Sequence, residues 1–107
     1  MLFRSHVNQA VLEVVDLTRS EAKKNKVAVQ MKLTEGLPVV LGDRVQLHQV
    51  ILNLIMNAME AMSASDTGAR QLLISSGKSA PNDVSVEIRD SGSGFPAGSV
   101  EQIFQAF

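Results

Sequence analysis

The chain has no cysteine, no tryptophan and no tyrosine, and its only aromatic side chains are four phenylalanines. Without cysteine there are no disulfides, no thiolate metal site and no cysteine nucleophile. An excess of one charge is also missing. Ten lysines and arginines stand against eleven acids, a net of −1, which gives no electrostatic case for nucleic acid or an acidic membrane surface as a partner. No apolar run reaches the roughly 18 residues that span a bilayer. The N-terminus MLFRSHVNQ lacks the basic-then-apolar pattern of a signal peptide. The expectation is a soluble, cytoplasmic chain. Neither G-x-x-x-x-G-K-[ST] nor G-x-G-x-x-G occurs, so the common phosphate-loop and dinucleotide folds are unsupported, and no repeat is visible.

What is present fits one small domain over residues 1–107, with 45% hydrophobic residues to build its core. Its centre is the stretch from Asp43 to Met62. On a helix, Val45, Leu47, Val50, Ile51, Leu52, Leu54, Ile55, Met56, Ala58, Met59, Ala61 and Met62 cover roughly two thirds of the circumference, which predicts a helix buried on nearly every side. The remaining stripe holds Gln46, Gln49, Asn53, Asn57 and Glu60. One reading makes it the solvated seam of a core helix. The other notes that Asn is a mediocre helix former. An amide oxygen is also a hard donor suited to Mg²⁺, which is usually shared between one or two protein groups and substrate phosphates. On that reading the stripe lines a nucleotide cavity.

In chain order, Val7 to Lys24 reads as an amphipathic helix stopped at Asn25. Val27 to Leu33 alternates as a half-buried strand, Glu35 to Pro38 is a turn, and Val39 to Leu41 is a brief second strand. Asp43 with Gln46 resembles a capping box at the start of the central helix. After a loop from Ser63 to Gly68, Arg70 to Lys78 and Asp83 to Asp90 read as a hairpin. Asp90 shares the parity of Val84, Val86 and Ile88, so its carboxylate faces inward and needs a partner. Either the following turn supplies backbone N–H groups, or the acid faces a polar ligand in a cleft. That turn carries Gly92 and Gly94, which let backbone approach a ligand closely. Residues 99–107 read as a short helix capped by Ser99 and Gln102, with Val100, Ile103, Phe104 and Phe107 on its apolar face. His6 and His48 form no site, His48 being expected as a hydrogen-bonded core residue. Met31, Met56, Met59 and Met62 are expected as core filler.

The order of these signals resembles the catalytic ATP-binding domain of sensor histidine kinases, within the wider ATPase group that includes DNA gyrase, MutL and the ATP-dependent heat-shock chaperone. Asn53, Asn57, Ala58 and Ala61 are similar to the N box. Asp90, Gly92 and Gly94 are similar to the first glycine box, and Ile103, Phe104 and Phe107 to the F box. The resemblance implies an α+β fold, a two-layer sandwich with helices on one face of a mixed sheet. It implies ATP and Mg²⁺ as cofactors, with Asn57 on the metal and Asn53 assisting through the metal or a phosphate. Asp90 would accept from the adenine amino group, with Gly92, Gly94 and Ala61 also at the nucleotide. Hydrolysing relatives carry a Glu general base one turn before the metal Asn. Here that position is Asn53, which cannot take a proton from water, and this favours a histidine kinase.

The resemblance also implies partners outside this chain: a dimerisation domain bearing the phospho-acceptor histidine, and a response regulator downstream. The kinase itself is expected to be cytoplasmic, with or without a membrane anchor elsewhere. No catalytic residue is expected within the chain, since neither histidine stands in an H-[ED]-x-x-x-P context. The chain looks like the first two thirds of the domain, with the second glycine box and the final strands absent. Asp83 to Asp90 should then form an exposed sheet edge and promote self-association. The competing expectation is a degenerate, non-catalytic interaction module of the same fold.

Overall fold

The computed structural model describes residues 4–63, 70–90 and 99–106. Its elements are β1 (Arg4–Ser5), α1 (Val7–Leu17), α2 (Arg19–Lys24), β2 (Val27–Leu33), β3 (Val40–Leu41), α3 (Arg44–Ser63), β4 (Arg70–Ala80), β5 (Asp83–Asp90) and β6 (Ser99–Gln105). The main sheet has the order β2-β4-β5-β6, with β2 and β4 parallel and the other pairs antiparallel. A small antiparallel sheet joins β1 to β3. Helices on one face of a mixed sheet are the two layers expected. The loop over 64–68, the turn with Gly92 and Gly94, and Phe107 lie outside the described residues.

α3 begins as its sequence predicts. The Gln46 backbone N–H donates to Asp43 Oδ1 at 2.7 Å, which satisfies one of the orphan donors of the first turn. Just before it, Gly42 has φ +135°, a conformation that favours glycine, and a Cβ there would stand 2.8 Å from Leu47 Cδ1, so the leucine methyl would have to shift. Burial of α3 is narrower than expected. Leu47, Ile51, Ile55, Met59 and Met62 are buried, a stripe roughly 120° wide at 100° per residue, while Val45 on the opposite flank is 71% exposed. The wide apolar arc cannot all be covered because only one sheet and one helix lie beside it. α1 meets α3 through Val7, Ala10, Val11 and Val14, spaced three, four and seven residues from the first.

The expected single helix over Val7 to Lys24 is interrupted at Thr18. Its Oγ1 donates to the carbonyls of Val14 (2.9 Å) and Val15 (3.2 Å), and its backbone leaves helical geometry at φ −96°, ψ 6°. A threonine hydroxyl competing for carbonyls of the preceding turn is a known cause of such bends. α2 ends at Asn25, whose Nδ2 donates to Glu21 O at 2.8 Å, and Lys26 then takes a left-handed φ of +56°.

The sheet turns one row of side chains to the helices: Met31, Ile74, Ile88 and Val100 stand in register, as do Leu33, Ser76, Val86 and Gln102. Met31 is at the margin of this core, 40% exposed, and not the interior filler expected. Ser76 is a buried polar member of this layer, and its hydroxyl both accepts and donates. Its Oγ accepts from Thr34 N (3.1 Å) and donates to Asn8 Oδ1 (2.6 Å), while Asn8 Nδ2 donates to Thr34 O (2.7 Å). This network ties the start of α1 to the sheet.

Two expectations about the C-terminus are corrected. Residues 99–105 form a strand, not a helix, and β5 is therefore covered on both sides and is not an edge. An eight-residue strand with one open side has unpaired N–H and C=O groups along its length, and pairing with 99–105 satisfies them. The same segment alternates well enough to serve, with Phe104 buried in the helix-facing row. The choice leaves Ile103 on the open face, 40% exposed. The last described residues close the fold, as Ala106 N donates to Asn82 O at 2.7 Å and bridges to Val40.

Ser76→Ala removes the hydroxyl on which Thr34 N and Asn8 both depend. It should cost about 0.5 to 1.5 kcal/mol, the net worth of a typical hydrogen bond, because Asn8 is half-buried and Thr34 exposed. Urea unfolding monitored by circular dichroism measures this, and an unchanged midpoint would mean that the network contributes nothing.

Candidate functional site

A cavity of about 210 Å³ opens between α3 and the C-terminal end of β5. Leu54, Asn57, Ala58 and Ala61 form its helix wall, and Ile88, Asp90 and Val100 its sheet wall. On a helical wheel the four helix residues fall within roughly 100°, running from half-buried Ala58 at the margin of the buried stripe to exposed Asn57. Small side chains at Ala58 and Ala61 leave the room. Beneath them, Ile88 is buried, and Val100 sits opposite it in register.

Asp90 is the decisive residue. It is only 8% exposed, and its Oδ1 is buried with no hydrogen-bond partner among the described residues. The Asp90 Oδ1 accepts nothing from the described residues, and the turn that follows, the alternative source of donors, lies outside them. A buried carboxylate oxygen without a donor is costly, and its free lone pairs point to a ligand group that donates. The walls around it are apolar. A flat heteroaromatic ring with an exocyclic amine is the kind of group that apolar walls beside an acid would suit. The volume falls below the roughly 300 to 1,000 Å³ of whole drug-sized ligands, so the described walls suit the ring end of a larger molecule.

The candidate residues divide. Asn57, Ala61 and Asp90 come together around one cavity. Asn53 is exposed and lies about 40° further round the helix, outside the cavity lining, with Gln46, Gln49 and Glu60 on the same solvated face. Of the amide stripe Asn57 lines this cavity, and it too is exposed. Gly92 and Gly94 lie outside the described residues. Sequence reasoning missed Leu54, Ile88 and Val100 as walls. Val100 was hidden by the helix assigned to its segment.

Residues 42–107 match the family model described as "Histidine kinase-, DNA gyrase B-, and HSP90-like ATPase". The chain belongs to this ATPase family. Within it, the chain is 34% identical over 98 residues to the sensor histidine kinase TmoS of Ectopseudomonas mendocina, covering 91% of this chain and 10% of TmoS. It is 35% identical over 101 residues to the sensor protein FixL of Bradyrhizobium diazoefficiens, covering 94% of this chain and 20% of FixL. Its fold matches the histidine kinase ThkA, solved in complex with the response regulator TrrA, with a TM-score of 0.72 at 24% identity over 89% of this chain and 27% of that one. The chain thus spans between a tenth and a fifth of the length of these two sequence relatives.

A second, polar cavity of about 170 Å³ lies between α1 and the start of α3, lined by Ser5, His6, Gln9, Ala10, Glu13 and Arg44. Glu13 is the hub. Arg44 donates to its Oε2, and His48 Nε2 lies 2.9 Å from its Oε1. A carboxylate can only accept, so His48 carries a proton on Nε2. His48 is thus the hydrogen-bonded residue expected, and what it does is clip α3 to α1. The His48 hydrogen bond and, after it, the Arg44 charge hold the Glu13 carboxyl below its ordinary value of 4.5, against the opposing effect of partial desolvation.

A carboxyl with a depressed pKa in the folded state contributes stability above its unfolded pKa, and this is lost as pH falls through the folded value. Glu13→Gln should therefore be less stable than the native chain at neutral pH, with the gap narrowing as pH drops below 4.5. Urea midpoints of both proteins across an acid series measure it. A gap that stays constant with pH would assign the effect to packing.

Proposed function

We propose that this chain is the ATP-binding part of a cytoplasmic sensor histidine kinase. In this reading it presents ATP to a histidine in a separate dimerisation domain, and the phosphoryl group then passes to a response regulator. The observation that carries the reading is the unpartnered Asp90 Oδ1 in a cavity shared with Asn57 and Ala61. Family membership and the sensor kinases among the relatives support it, as does ThkA, whose solved complex holds a response regulator.

Each residue has a stated part. Asp90 accepts from the adenine amino group and fixes which edge of the base enters. Leu54, Ala58, Ile88 and Val100 exclude water from the ring faces. The Asn57 amide oxygen is a hard donor for the Mg²⁺ that accompanies the phosphates, with Asn53, one turn earlier, at the phosphate side. Gly92 and Gly94 let backbone run close to the base. ATP brings the transferable γ-phosphoryl group, and Mg²⁺ neutralises its charge. Asn53 is an amide and cannot deprotonate water, which supports transfer to histidine over hydrolysis.

ADP should bind this chain weakly, with amide shifts centred on Asn57, Ala61 and Asp90. Asp90→Asn exchanges a charge-assisted hydrogen bond of about 1.5 to 3 kcal/mol for a neutral one of about 0.5 to 1.5, so affinity should fall by about five- to tenfold. Because Oδ1 bonds no described group, the melting temperature should change little or rise. A large drop in melting temperature with unchanged affinity would instead make Asp90 a structural residue.

This chain incubated with labelled ATP should remain unlabelled and release negligible phosphate, because neither His6 nor His48 stands in an acceptor motif. Acid-labile phosphate on His48, or steady hydrolysis, would overturn the roles given to His48 and Asn53.

A further inference from the structure

α2 is charged differently on its two sides. Arg19 and Lys23, four residues apart and therefore neighbours on one helix face, line a groove of about 410 Å³ between the α1–α2 pair and β2. Glu21 lines a separate recess against the end of α3, with Met56, Met59 and Glu60. The groove's floor is aliphatic. Val15 comes from α1, Ala22 from α2, and Val27, Val29 and Met31 from alternate positions of β2, all on its helix side. Among the described residues no strand lies along the outer side of β2, and Met31 is left 40% exposed, with Val15 and Val29 half-buried.

Size, lining and charge together select the occupant. The volume lies at the small end of the roughly 300 to 1,000 Å³ that hold single small molecules, and the short side chain of Ala22 leaves that room. The five floor residues include no aromatic platform, so the lining suits an aliphatic chain. Both charged groups in the lining are cations. Lys23 makes no ion pair among the described residues, and the 3.4 Å pair of Arg19 with Asp16 is solvent-exposed on both sides, so another carboxylate can replace Asp16 at little cost. An added β-strand does not meet these demands. Its side chains alternate between the two faces of the sheet, so with apolar residues in the groove its acids would lie on the far face, away from Arg19 and Lys23. A molecule with one acid at the end of an apolar chain has no such conflict.

We propose that this groove binds a small aliphatic carboxylate. The hydrocarbon chain lies on Val15, Val27, Val29 and Met31, and the carboxylate accepts from the Arg19 guanidinium and the Lys23 ammonium at the rim. The site is separate from the cavity at Asp90, and the proposal stands without the kinase reading.

The test adds octanoate, below its micelle-forming concentration, to the 107-residue chain. Methyl and amide shifts are expected at Val15, Val27, Val29 and Met31, and none there from octylamine, which joins a cationic head to the same length of tail. From hexanoate to decanoate, affinity should rise by up to about fourfold per methylene, the value for full burial. Arg19→Glu with Lys23→Glu, both at exposed positions, should weaken octanoate binding about tenfold, the scale of two rim charges, with the circular dichroism spectrum and ADP binding unchanged. Arg19→Lys with Lys23→Arg should retain it. Equal shifts from octylamine, or native affinity in the double Glu variant, would overturn the proposal by reducing the groove to an apolar patch. So would shifts centred on the exposed Leu17 and Val45, or binding to vesicles containing phosphatidylserine with none to octanoate.

Discussion

Leu47, Ile51, Ile55, Met59 and Met62 recur at intervals of four, four, four and three residues, and the burial of this stripe is the constraint on which the other parts depend. Each such side chain is worth roughly 1.5 to 3 kcal/mol when removed from water, so the rotation of α3 about its axis is fixed by several competing tens of square ångströms per residue. Once it is fixed, Leu54, Ala58 and Ala61 fall beside the seam and Asn57 beyond them. The cavity at Asp90 is a consequence of that rotation. A turn of α3 by about 40°, one step of four residues, would bring Asn53 to the place Asn57 holds and carry Met59 out of the buried stripe to the exposed flank where Val45 lies.

The parts legible in the sequence were those with a single periodic answer. The alternation of Val84, Val86, Ile88 and Asp90 could be satisfied only by a strand, and it placed the acid on the inner face where it is found. The Asp43 cap was readable because its donor is three residues away. What could not be read was how much neighbouring surface exists to cover an apolar residue. Val45 and Ile55 look alike in the sequence, yet one faces solvent and the other the core. Likewise, Ser76 gave no signal, since its partners Asn8 and Thr34 are 68 and 42 residues away.

The segment 99–105 shows a local preference losing to a non-local demand. Val100, Ile103 and Phe104 have helical spacing, and a helix would have joined Ile103 and Phe104 on one face. The open side of β5 offers a full ladder instead, with backbone pairing from Asp83↔Gln105 to Arg89↔Ser99. Seven residues are too few to hold a helix by propensity alone, because nucleation is unfavourable and short helices depend on packing. The strand therefore prevails at the cost of exposing Ile103. It also brings Val100 to the cavity, so the same pairing that covers β5 adds an apolar residue to the wall beside Asp90.

Asp90 sets stability against binding. In register it continues the row Val29 and Leu72, where an apolar side chain would finish the core with no polar group to satisfy. A carboxylate there has an oxygen that the described protein leaves without a donor, and such a group costs about 1 to 3 kcal/mol until one arrives. The fold tolerates it because the stripe on α3 and the Ser76 network hold the two layers together independently of it. In the function proposed above, a ligand that donates to Asp90 would recover this penalty on binding. The same reasoning explains why the walls are apolar. A polar wall residue would satisfy Asp90 from within and remove the free-energy difference on which recognition of the ligand depends.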